Sequence, residues 1–504
     1  MGTVRKLPYF FNLIEYSLRL ARLNKQTLQN ISTSIEQPES LLTIKDIPRP
    51  RSLPLLGTKL DILFSGRGTR LHEYVDNRHK KLGPIFCEKL DGKTDLVFIS
   101  EPGLIKTVFL NLEGKYPKHI LPEPWVFYEK LYGSKRGLFF MDDEEWLANR
   151  RIANLHLLRE NSENWLEQPI RNSVSDFIQT WKTKAEDGGI VTNLESELYK
   201  LSTQVIISVL LGNNSTMKIS SFYDELLEIF SDSVKKIFQT TTKLYGFPVH
   251  WYQLLNLKPW RDFKESVDMS LFLAQKISNE MLNNIESTSG LLKKLADEDI
   301  TYEMIKRIVA DFIIAAGDTT AYTTLWILLL LSKNYEVIQE IRSKDRSFAK
   351  NVIKESMRMY PVAPFLTRIL PKECCLGQYK LKEGTPIIAS IYTSGRDEQN
   401  FSNPNMFLPY RWDRNDPRRK DLIHHVPSAS MPFALGARSC IGKKLAILQL
   451  TEIIIQVVNN FEFECLNASD VKAITSQVLI PNKTIQLKLH NKNTSIKVNV
   501  DFQW

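Results

Sequence analysis

A cysteine in a closely specified frame constrains this chain more than any other feature of its sequence. The segment PFALGARSCIG, residues 432–442, places Cys440 between Gly436 and Gly442, with Phe433 and Arg438 before it. From average composition, the pattern F-x-x-G-x-R-x-C-x-G occurs by chance in about one chain of this length in ten thousand. The spacing therefore argues against an ordinary buried cysteine in a turn and predicts a site built around one sulfur atom.

The frame has the properties that an iron-bound thiolate requires. An amphipathic stretch begins near residue 442, so Cys440 is expected just before a helix N-terminus, where free amide groups stabilise a negative sulfur. The glycines allow turns and a close approach that a Cβ atom would block. Phe433 can shield the sulfur from water, and Arg438 can bind a carboxylate of the ligand. We interpret the segment as a loop that holds haem iron through Cys440.

Three further motifs lie before this loop in the chain. ESMR places Glu355 and Arg358 one helical turn apart, so both can face the same side of a helix. WLANR places Trp146 and Arg150 on one helix face, and FLPYRW contributes Arg411. Taken alone, E-x-x-R is weak because it occurs about once per chain by chance, and a surface ion pair explains it equally well. The order of the motifs makes them informative.

With these motifs in this order, the chain resembles the cytochrome P450 family over about residues 45–490. The resemblance implies a mainly α-helical fold with small β-sheets, in which haem b lies between a long central helix and the helix of the cysteine loop. It also implies that Cys440 is the axial iron ligand and that O2 is the cosubstrate. The implied structural network behind the haem is Glu355, Arg358 and Arg411. The implied partners of the haem propionates are Trp146, Arg150, Arg438 and Arg368, the last of which is equally explained as a solvent arginine at a strand end.

The long apolar pattern at 302–332 has AAGDTT in its middle. Gly317 is expected to weaken the helix, and Thr319 is expected to bond back to a carbonyl one turn earlier and so open a groove for dioxygen. Asp318 and Thr319 resemble the acid–alcohol pair that passes protons to bound oxygen in this family. The chain departs from the family at Ala316, where glycine is usual, and the methyl group is expected to narrow the groove slightly.

A basic surface is predicted beside the cysteine loop. Lys350 and Lys354 lie four residues apart on the helix of the E-x-x-R motif, and Lys443 and Lys444 follow Cys440. Mitochondrial members of the family are similar here, which implies an adrenodoxin-like ferredoxin, with its NADPH reductase, as the electron donor. A cationic patch steers an acidic partner and raises its association rate. A plain solvated basic face is the alternative interpretation.

The segments SIYTSGRD, ARSCIGKKLA and FECLN resemble most the insect mitochondrial enzymes of ecdysteroid synthesis. The resemblance implies a steroid hydroxylase, with 2-hydroxylation of 2-deoxyecdysone to ecdysone favoured over 22- and 20-hydroxylation. A haem-thiolate isomerase or a non-catalytic haem protein is a further alternative, but neither would need the acid–alcohol pair or the lysines. A steroid pocket should be large and mostly apolar. Its expected walls are Ile308, Phe312, Ala315, Val362, Ala363 and Phe365, with the loop residues Trp125 and Phe127 and the tip Val478-Leu479 as further candidates.

The start of the chain differs from the rest. Residues 1–34 hold five basic residues and one acidic residue, with apolar and basic positions at helical spacing, which is typical of a mitochondrial presequence. An ordinary surface helix is the alternative. We expect residues 35–58 to form a proline-rich lead and residues 59–504 a single haem-thiolate domain. The expected location is the matrix side of the inner mitochondrial membrane, with peripheral membrane association and no nucleic-acid partner.

The segment from Asp318 to Glu355 is short for a eukaryotic member of the family, at 37 residues. It corresponds either to a trimmed surface segment or to an omitted exon. The helices that follow the long apolar helix are therefore expected to be cut short around NYEVIQEIRSKDRSFAK.

Overall fold

The structure is a computed structural model that describes residues 42–492 apart from 54–56, 67, 91–93, 134–135, 160, 213–220, 245–247 and 345. The predicted presequence lies outside the described residues. Helices dominate, as expected. In chain order they are α1 (Lys59–Phe64), α2 (Leu71–Leu82), α3 (Pro102–Lys106), α4 (Glu123–Tyr132), α5 (Asp143–Leu157), α6 (Ser162–Glu186), α7 (Leu194–Leu211), α8 (Ser221–Leu244), α9 (Val249–Leu254), α10 (Lys258–Asn283), α11 (Leu291–Ala296), α12 (Tyr302–Ser332), α13 (Tyr335–Ser343), α14 (Arg346–Met359), α15 (Ile391–Ser394) and α16 (Lys443–Asn460).

Short strands form small sheets at the edges of the helical body. In chain order they are β1 (Leu42–Thr43), β2 (Ile85–Glu88), β3 (Leu96–Ile99), β4 (Ile190–Val191), β5 (Phe365–Ile369), β6 (Cys374–Leu376), β7 (Tyr379–Leu381), β8 (Pro386–Ser390), β9 (Phe461–Cys465), β10 (Ala473–Ser476), β11 (Val478–Pro481) and β12 (Leu487–Asn491). The largest described sheet has the order β2-β3-β8-β5, and smaller ones have the orders β1-β7-β6, β4-β12-β9 and β10-β11. The mainly helical fold with small sheets is therefore confirmed.

Helix α12 is the central element. Its first turn is capped by Thr301, whose side chain accepts a hydrogen bond from the amide of Met304 at 3.3 Å. At 31 residues, it packs against α7, α10, α14 and α16. Among the described residues it is the one helix long and apolar enough to cross a membrane, but most of it is buried inside the protein, as in a core helix. It runs without a break through Gly317.

Gly317 makes room for a neighbouring aromatic ring. A Cβ atom at this position would come within 2.5 Å of Cζ of Tyr199 on α7. The glycine is thus required for close packing between α12 and α7, which is a separate use of a residue without a side chain. The helical hydrogen bonds of α12 are maintained around it.

Strand β8 covers only the first part of the apolar run at 386–394. β8 ends at Ser390, which pairs with Phe365 at the start of β5. Pro364 precedes that residue and has no amide hydrogen to continue the ladder. The chain therefore turns into the one-turn helix α15.

The short segment after α12 consists mainly of the helices α13 and α14, which contact α16. Arg342 at the end of α13 donates hydrogen bonds of 2.9 Å to the carbonyl groups of Val458 and Phe461, at the end of α16. Arg346 at the start of α14 pairs with Glu452 of α16 at 2.9 Å. These contacts join the shortened segment to the helix that follows the cysteine loop.

Candidate active site

The cysteine loop is held tightly by residues from the first third of the chain. The amide of Cys440 donates to the carbonyl of Phe433 at 2.8 Å, and the amide of Ala437 donates to Glu113 at 2.6 Å. Gly436 has φ of +77°, and a Cβ atom there would overlap the carbonyl oxygen of Phe109 and the carboxylate of Glu113. Glycine is therefore required at this position for both reasons.

Cys440 lies just before α16, as predicted, and its side chain faces an internal space. The residue has accessible surface, yet burial raises the pKa of its thiol, so the surrounding protein largely excludes bulk water. The backbone amide of Gly442 and the positive charges of Arg150 and Lys443 act in the opposite direction and favour the thiolate. This is an environment in which the sulfur would lose its proton on binding a metal ion.

Helix α12 exposes surface at the middle of its otherwise buried length. Within residues 311–331, Ala315 and Thr319 are exposed and Ala316 is half-buried, whereas the other residues are buried. Ala315 and Thr319 lie one turn apart on one side of the helix. The hydroxyl of Thr319 donates to the carbonyl of Ala315 at 3.0 Å, as predicted. This side of α12 therefore borders an internal cavity.

Asp318 points the other way and is almost completely buried, at 3% exposure. Burial raises the pKa of its carboxyl group to about 7, with a smaller contribution from the negative charge of Glu195, while Lys235 lowers it. Its Oδ2 atom and the hydroxyl of the buried Tyr199 have no hydrogen-bond partner. A bound water molecule is the usual partner of such orphaned groups.

A polar chain connects this buried region to the surface. The hydroxyl of Tyr322, one turn after Asp318, donates to Glu195 at 2.7 Å. Glu195 also pairs with Lys235 at 2.9 Å, and both side chains are partly exposed. Sequence motifs did not identify Tyr199, Glu195 or Tyr322. The spacing of four between Asp318 and Tyr322 was the available signal.

Arg150 and Arg438 converge on the cysteine loop and on α5. Arg150 donates to the carbonyl of Ser439 at 2.5 Å, and its buried Nε atom has no partner. Arg438 stacks on the ring of Trp146 at 4.4 Å and pairs with Asp142 at 2.8 Å. Burial lowers the pKa of Arg438 to about 10, although Asp142 opposes the shift. The structure thus brings Trp146, Arg150 and Arg438 together.

Arg368 is not the solvent arginine of the alternative interpretation, since it is only 4% exposed. It pairs with Glu113 at 2.8 Å and donates to the carbonyl of Leu435 at 3.3 Å, so it braces the cysteine loop. Burial lowers the pKa of Arg368, and Glu113 opposes the shift.

His119 was not predicted as a site residue from the sequence, because it belongs to none of the motifs. Both of its ring nitrogen atoms are buried without a partner. Burial lowers its pKa to about 3, and the nearby charges of Arg438 and then Arg368 lower it further. A neutral donor therefore lies beside the two arginines.

The predicted network of Glu355, Arg358 and Arg411 is present and completely buried. Arg358 donates to both carboxylate oxygens of Glu355 at 2.9 and 2.8 Å, and Arg411 donates at 2.9 Å. Trp412 adds a hydrogen bond of 2.9 Å. Burial acts to raise the pKa of Glu355, but the hydrogen bonds and charges of the arginines outweigh it and lower the pKa overall.

Three of the four predicted surface lysines form a group. Burial lowers the pKa of Lys354, and the charges of Lys350 and Lys443 lower it further, which places the three near one another. Lys443 and Lys354 are exposed and Lys350 is half-buried. Lys444, the fourth lysine, is half-buried and donates to the carbonyl of Arg159 at 2.6 Å.

The expected pocket walls separate into two groups. Ile308, Phe312, Val362 and Val478 belong to one buried cluster, and the amide of Leu479 donates to the carbonyl of Val362 at 2.8 Å. Ala363 is half-buried beside Val362. Phe365 packs instead with Phe86 and Phe98 beside the largest sheet, so it does not join the others.

The two aromatic residues expected on a loop lie on α4. Trp125 contacts Phe263 and Phe127 contacts Trp260, both on α10, with ring centroids 5.6 and 5.4 Å apart. Trp125 also contacts Phe140 at 5.7 Å. The pair therefore packs α4 against α10.

A comparison with known protein families shows to which family this chain belongs. The cytochrome P450 family model matches residues 47–489, which is most of the chain.

The chain is a cytochrome P450.

Relatives of this cytochrome P450 include "Cytochrome P450 315a1, mitochondrial" of Drosophila melanogaster, which is 36% identical over 95% of this chain and 94% of the relative. The mitochondrial 1,25-dihydroxyvitamin D(3) 24-hydroxylase of Rattus norvegicus is 26% identical over 88% of each chain. The mitochondrial cholesterol side-chain cleavage enzyme of Ovis aries is 28% identical over 83% of this chain and 84% of the relative. As a member of the family, this cytochrome P450 is a monooxygenase.

The family implies a haem, and the residues present fit one. Cys440 has accessible surface toward the interior, and α12, which packs against α16, presents the accessible Ala315 and Thr319. Buried donors without partners on Arg150 and His119 suit the carboxylates of a propionate-bearing ring. The structure thus brings together a thiol that can ligate iron, an internal space and cationic partners.

Proposed function

We propose that this cytochrome P450 is a ferredoxin-dependent mitochondrial steroid hydroxylase, and that it converts 2-deoxyecdysone to ecdysone. The observation that carries the proposal is the 36% identity, along nearly the whole of both chains, to a mitochondrial insect cytochrome P450. The names of other mitochondrial relatives, which refer to vitamin D and cholesterol, support a substrate with a sterol-derived skeleton. The resemblance in SIYTSGRD, ARSCIGKKLA and FECLN supports an ecdysteroid.

In this proposal, Cys440 holds the haem iron, and Trp146, Arg150, Arg438 and His119 hold the propionates. The bound haem supplies the activation of O2 and the transfer of one oxygen atom to the steroid. Phe433 screens the sulfur, while Arg368 and Glu113 keep the cysteine loop in place. Glu355, Arg358 and Arg411 act as a structural network and not as reacting groups.

Asp318 and Thr319 move protons in this proposal. A pKa near 7 lets the carboxyl group of Asp318 both give and regain a proton at neutral pH. Glu195 and Tyr322 form the path by which Asp318 regains its proton from solvent. The hydroxyl of Thr319 lies on the accessible side of α12, where it can pass a proton into the cavity.

Electrons reach the enzyme at the surface of Lys350, Lys354 and Lys443, where an acidic ferredoxin docks. Lys444 contributes positive charge at its edge. The relatives' names support a mitochondrial location, and the proposed position is the matrix side of the inner membrane. The basic residues 1–34 support a presequence.

The experiment begins with the carbon-monoxide difference spectrum of the reduced protein. A band near about 450 nm is expected from thiolate-ligated haem, and one near about 420 nm would contradict the role of Cys440. The ferric protein is then titrated with 2-deoxyecdysone and supplied with ferredoxin and its reductase, and the product is identified by mass spectrometry. Ecdysone supports the proposal. Hydroxylation at carbon 20 would assign one rival, and hydroxylation at carbon 22 of an analogue that lacks the 22-hydroxyl group would assign the other. Rearrangement without electron input would assign an isomerase.

A further inference from the structure

A buried ion pair joins the segment before α5 to the central helix α12. Arg136 and Asp311 are each only 7% exposed. The Nε and Nη2 atoms of Arg136 donate to Oδ1 of Asp311 at 3.1 and 3.0 Å, and the amide of Phe139 donates to Oδ2 at 3.3 Å. The Nη1 atom of Arg136 is also buried, and it has no hydrogen-bond partner among the described residues. Leaving a buried charged donor unpaired is costly, so this atom is a candidate donor to a bound ligand.

The pair lies on the side of α12 that borders the cavity. Asp311, Ala315 and Thr319 are spaced four residues apart, so they follow one another along one side of the helix. Eight residues of helix separate Asp311 from Thr319, which corresponds to about 12 Å along the axis. That separation is comparable to the long axis of a steroid. A steroid with one end beside Thr319 would bring its other end to the ion pair.

Arg136 is fixed in place before any ligand arrives. Its guanidinium group lies over the rings of Trp125 and Phe140, at 4.2 and 4.8 Å from their centroids. Its carbonyl oxygen accepts hydrogen bonds of 3.0 and 2.6 Å from Arg307 on α12. The two rings contact the guanidinium group, whose N–H donors all lie in its plane.

Gly137 allows the segment before α5 to approach α12 closely. A Cβ atom at Gly137 would come within 2.5 Å of the carbonyl oxygen of Arg307 and 2.8 Å of Cγ of Asp311. This close approach holds the backbone next to Arg136 against α12. A rigid donor of this kind binds a matching acceptor with little loss of conformational entropy.

We propose that Arg136, oriented by Asp311, binds an oxygen substituent at the end of the steroid that is remote from the reacting carbon. The inference rests on the proposed function, because it takes the ligand to be an oxygenated steroid. If carbon 2 faces the oxygen-activating site, the remote end is the side chain, and the acceptor is a side-chain hydroxyl group. A site built around a buried donor rejects a ligand that lacks the acceptor, because the donor is then left unpaired.

The test compares two steroids that differ only at the remote end. The dissociation constants of 2-deoxyecdysone and of its analogue without side-chain hydroxyl groups are measured from the spin-state change and by calorimetry. The wild-type protein should bind the hydroxylated steroid about ten- to hundredfold more tightly, the range expected for a hydrogen bond to a charged group. In the double variant Arg136→Met/Asp311→Leu, the two constants should become equal, mainly through weaker binding of the hydroxylated steroid.

The double variant removes both charges and so avoids an unpaired buried carboxylate, which would itself unfold the protein. Arg342→Met is the matched control, because it removes a mostly buried arginine that contacts the end of α16. This control should keep the wild-type preference. Thermal unfolding and the carbon-monoxide spectrum are recorded for each variant to establish that the fold and the thiolate ligand are intact.

The outcomes separate the anchor from the proposed substrate. A wild-type preference that survives in the double variant, or the absence of any preference in the wild type, would overturn the anchor. If neither ecdysteroid binds, the same comparison is made with 25-hydroxycholesterol and cholesterol. A preference for the hydroxylated sterol that the double variant loses would support the anchor while the proposed substrate fails, and no preference would overturn the anchor.

Discussion

Glu355 accepts a hydrogen bond from Arg411 at 2.9 Å, and neither side chain is exposed to solvent. Arg411 lies in the short helical turn 409–412, far along the chain from α14, which carries Glu355. Their contact fixes the irregular segment before the cysteine loop against a helix. Because the carboxylate is surrounded by protein, its charge is stabilised by its arginine partners together with hydrogen bonds from Trp412 and the amide of Leu408.

Glu355→Gln is expected to destabilise the protein by about 3–5 kcal/mol, because it leaves buried guanidinium groups without their counter-ion. The pKa of Glu355 is lowered in the folded state from its ordinary value of 4.5. Its contribution is therefore complete above about that pH and is lost as the pH falls through the lowered pKa. Thermal unfolding across the pH range measures both effects. The exposed pair Lys258–Asp262 provides the control, and equal destabilisation by Asp262→Asn would contradict this account.

Gly436→Ala is expected to abolish the band near about 450 nm, because the loop that holds the thiolate cannot accommodate a Cβ atom. The matched control is Gly384→Ala. Gly384 has φ of +78°, almost the same as Gly436, but a Cβ atom there meets nothing within 4 Å. The control should therefore lose only about 1–2 kcal/mol from backbone strain and keep the band. Equal loss of the band in both variants would show that strain, not contact with Phe109, decides the outcome.

Asp318 should determine how product formation depends on pH. Its pKa is raised to about 7, so the proton that it donates is present below that pH and lost above it. Coupled hydroxylation should fall as the pH rises through about 7. Asp318→Asn should lower the rate about a hundredfold, the usual scale for a general acid, and remove this pH dependence. The ratio of product to NADPH consumed is the measurement, and a pH dependence that persists in the variant would exclude Asp318 as the donor.

Lys354→Gln should raise the KM for ferredoxin about three- to tenfold at low salt and weaken its salt dependence, because one charge of the docking surface is lost. The rate at saturating ferredoxin should change little. Lys258→Gln removes an exposed charge from α10 and should have no effect. Reduction kinetics over a range of ionic strength measure the difference. The same response in both variants would mean that overall charge, and not this surface, attracts the ferredoxin.

Short sequence patterns predicted the features that depend on residues close together in the chain. The bounds of α12 follow from a long, mostly apolar stretch with Thr301 as its cap, and Cys440 lies before α16 because the loop and the helix are adjacent in sequence. The contact between Glu355 and Arg411 was predicted from the order of motifs in a known family. In each case the information lies within a few residues or in a resemblance.

Other features depend on contacts between distant segments, which a single sequence does not reveal. The role of Gly317 is set by Tyr199 on another helix, and the pairing of Glu195 with Tyr322 joins α7 to α12. The end of β8 at Ser390 depends on where its partner strand begins. Each of these became visible only once the helices and strands were placed together.

The cysteine loop is held by residues that were synthesised long before it. Ala437 bonds to Glu113 across 324 residues, Arg438 to Pro117 across 321, and Arg150 to Ser439 across 289. A growing polypeptide therefore lacks the site until Cys440 itself has been added, and contacts at such long range form slowly. The site that would capture the prosthetic group is complete only when these distant segments have come together.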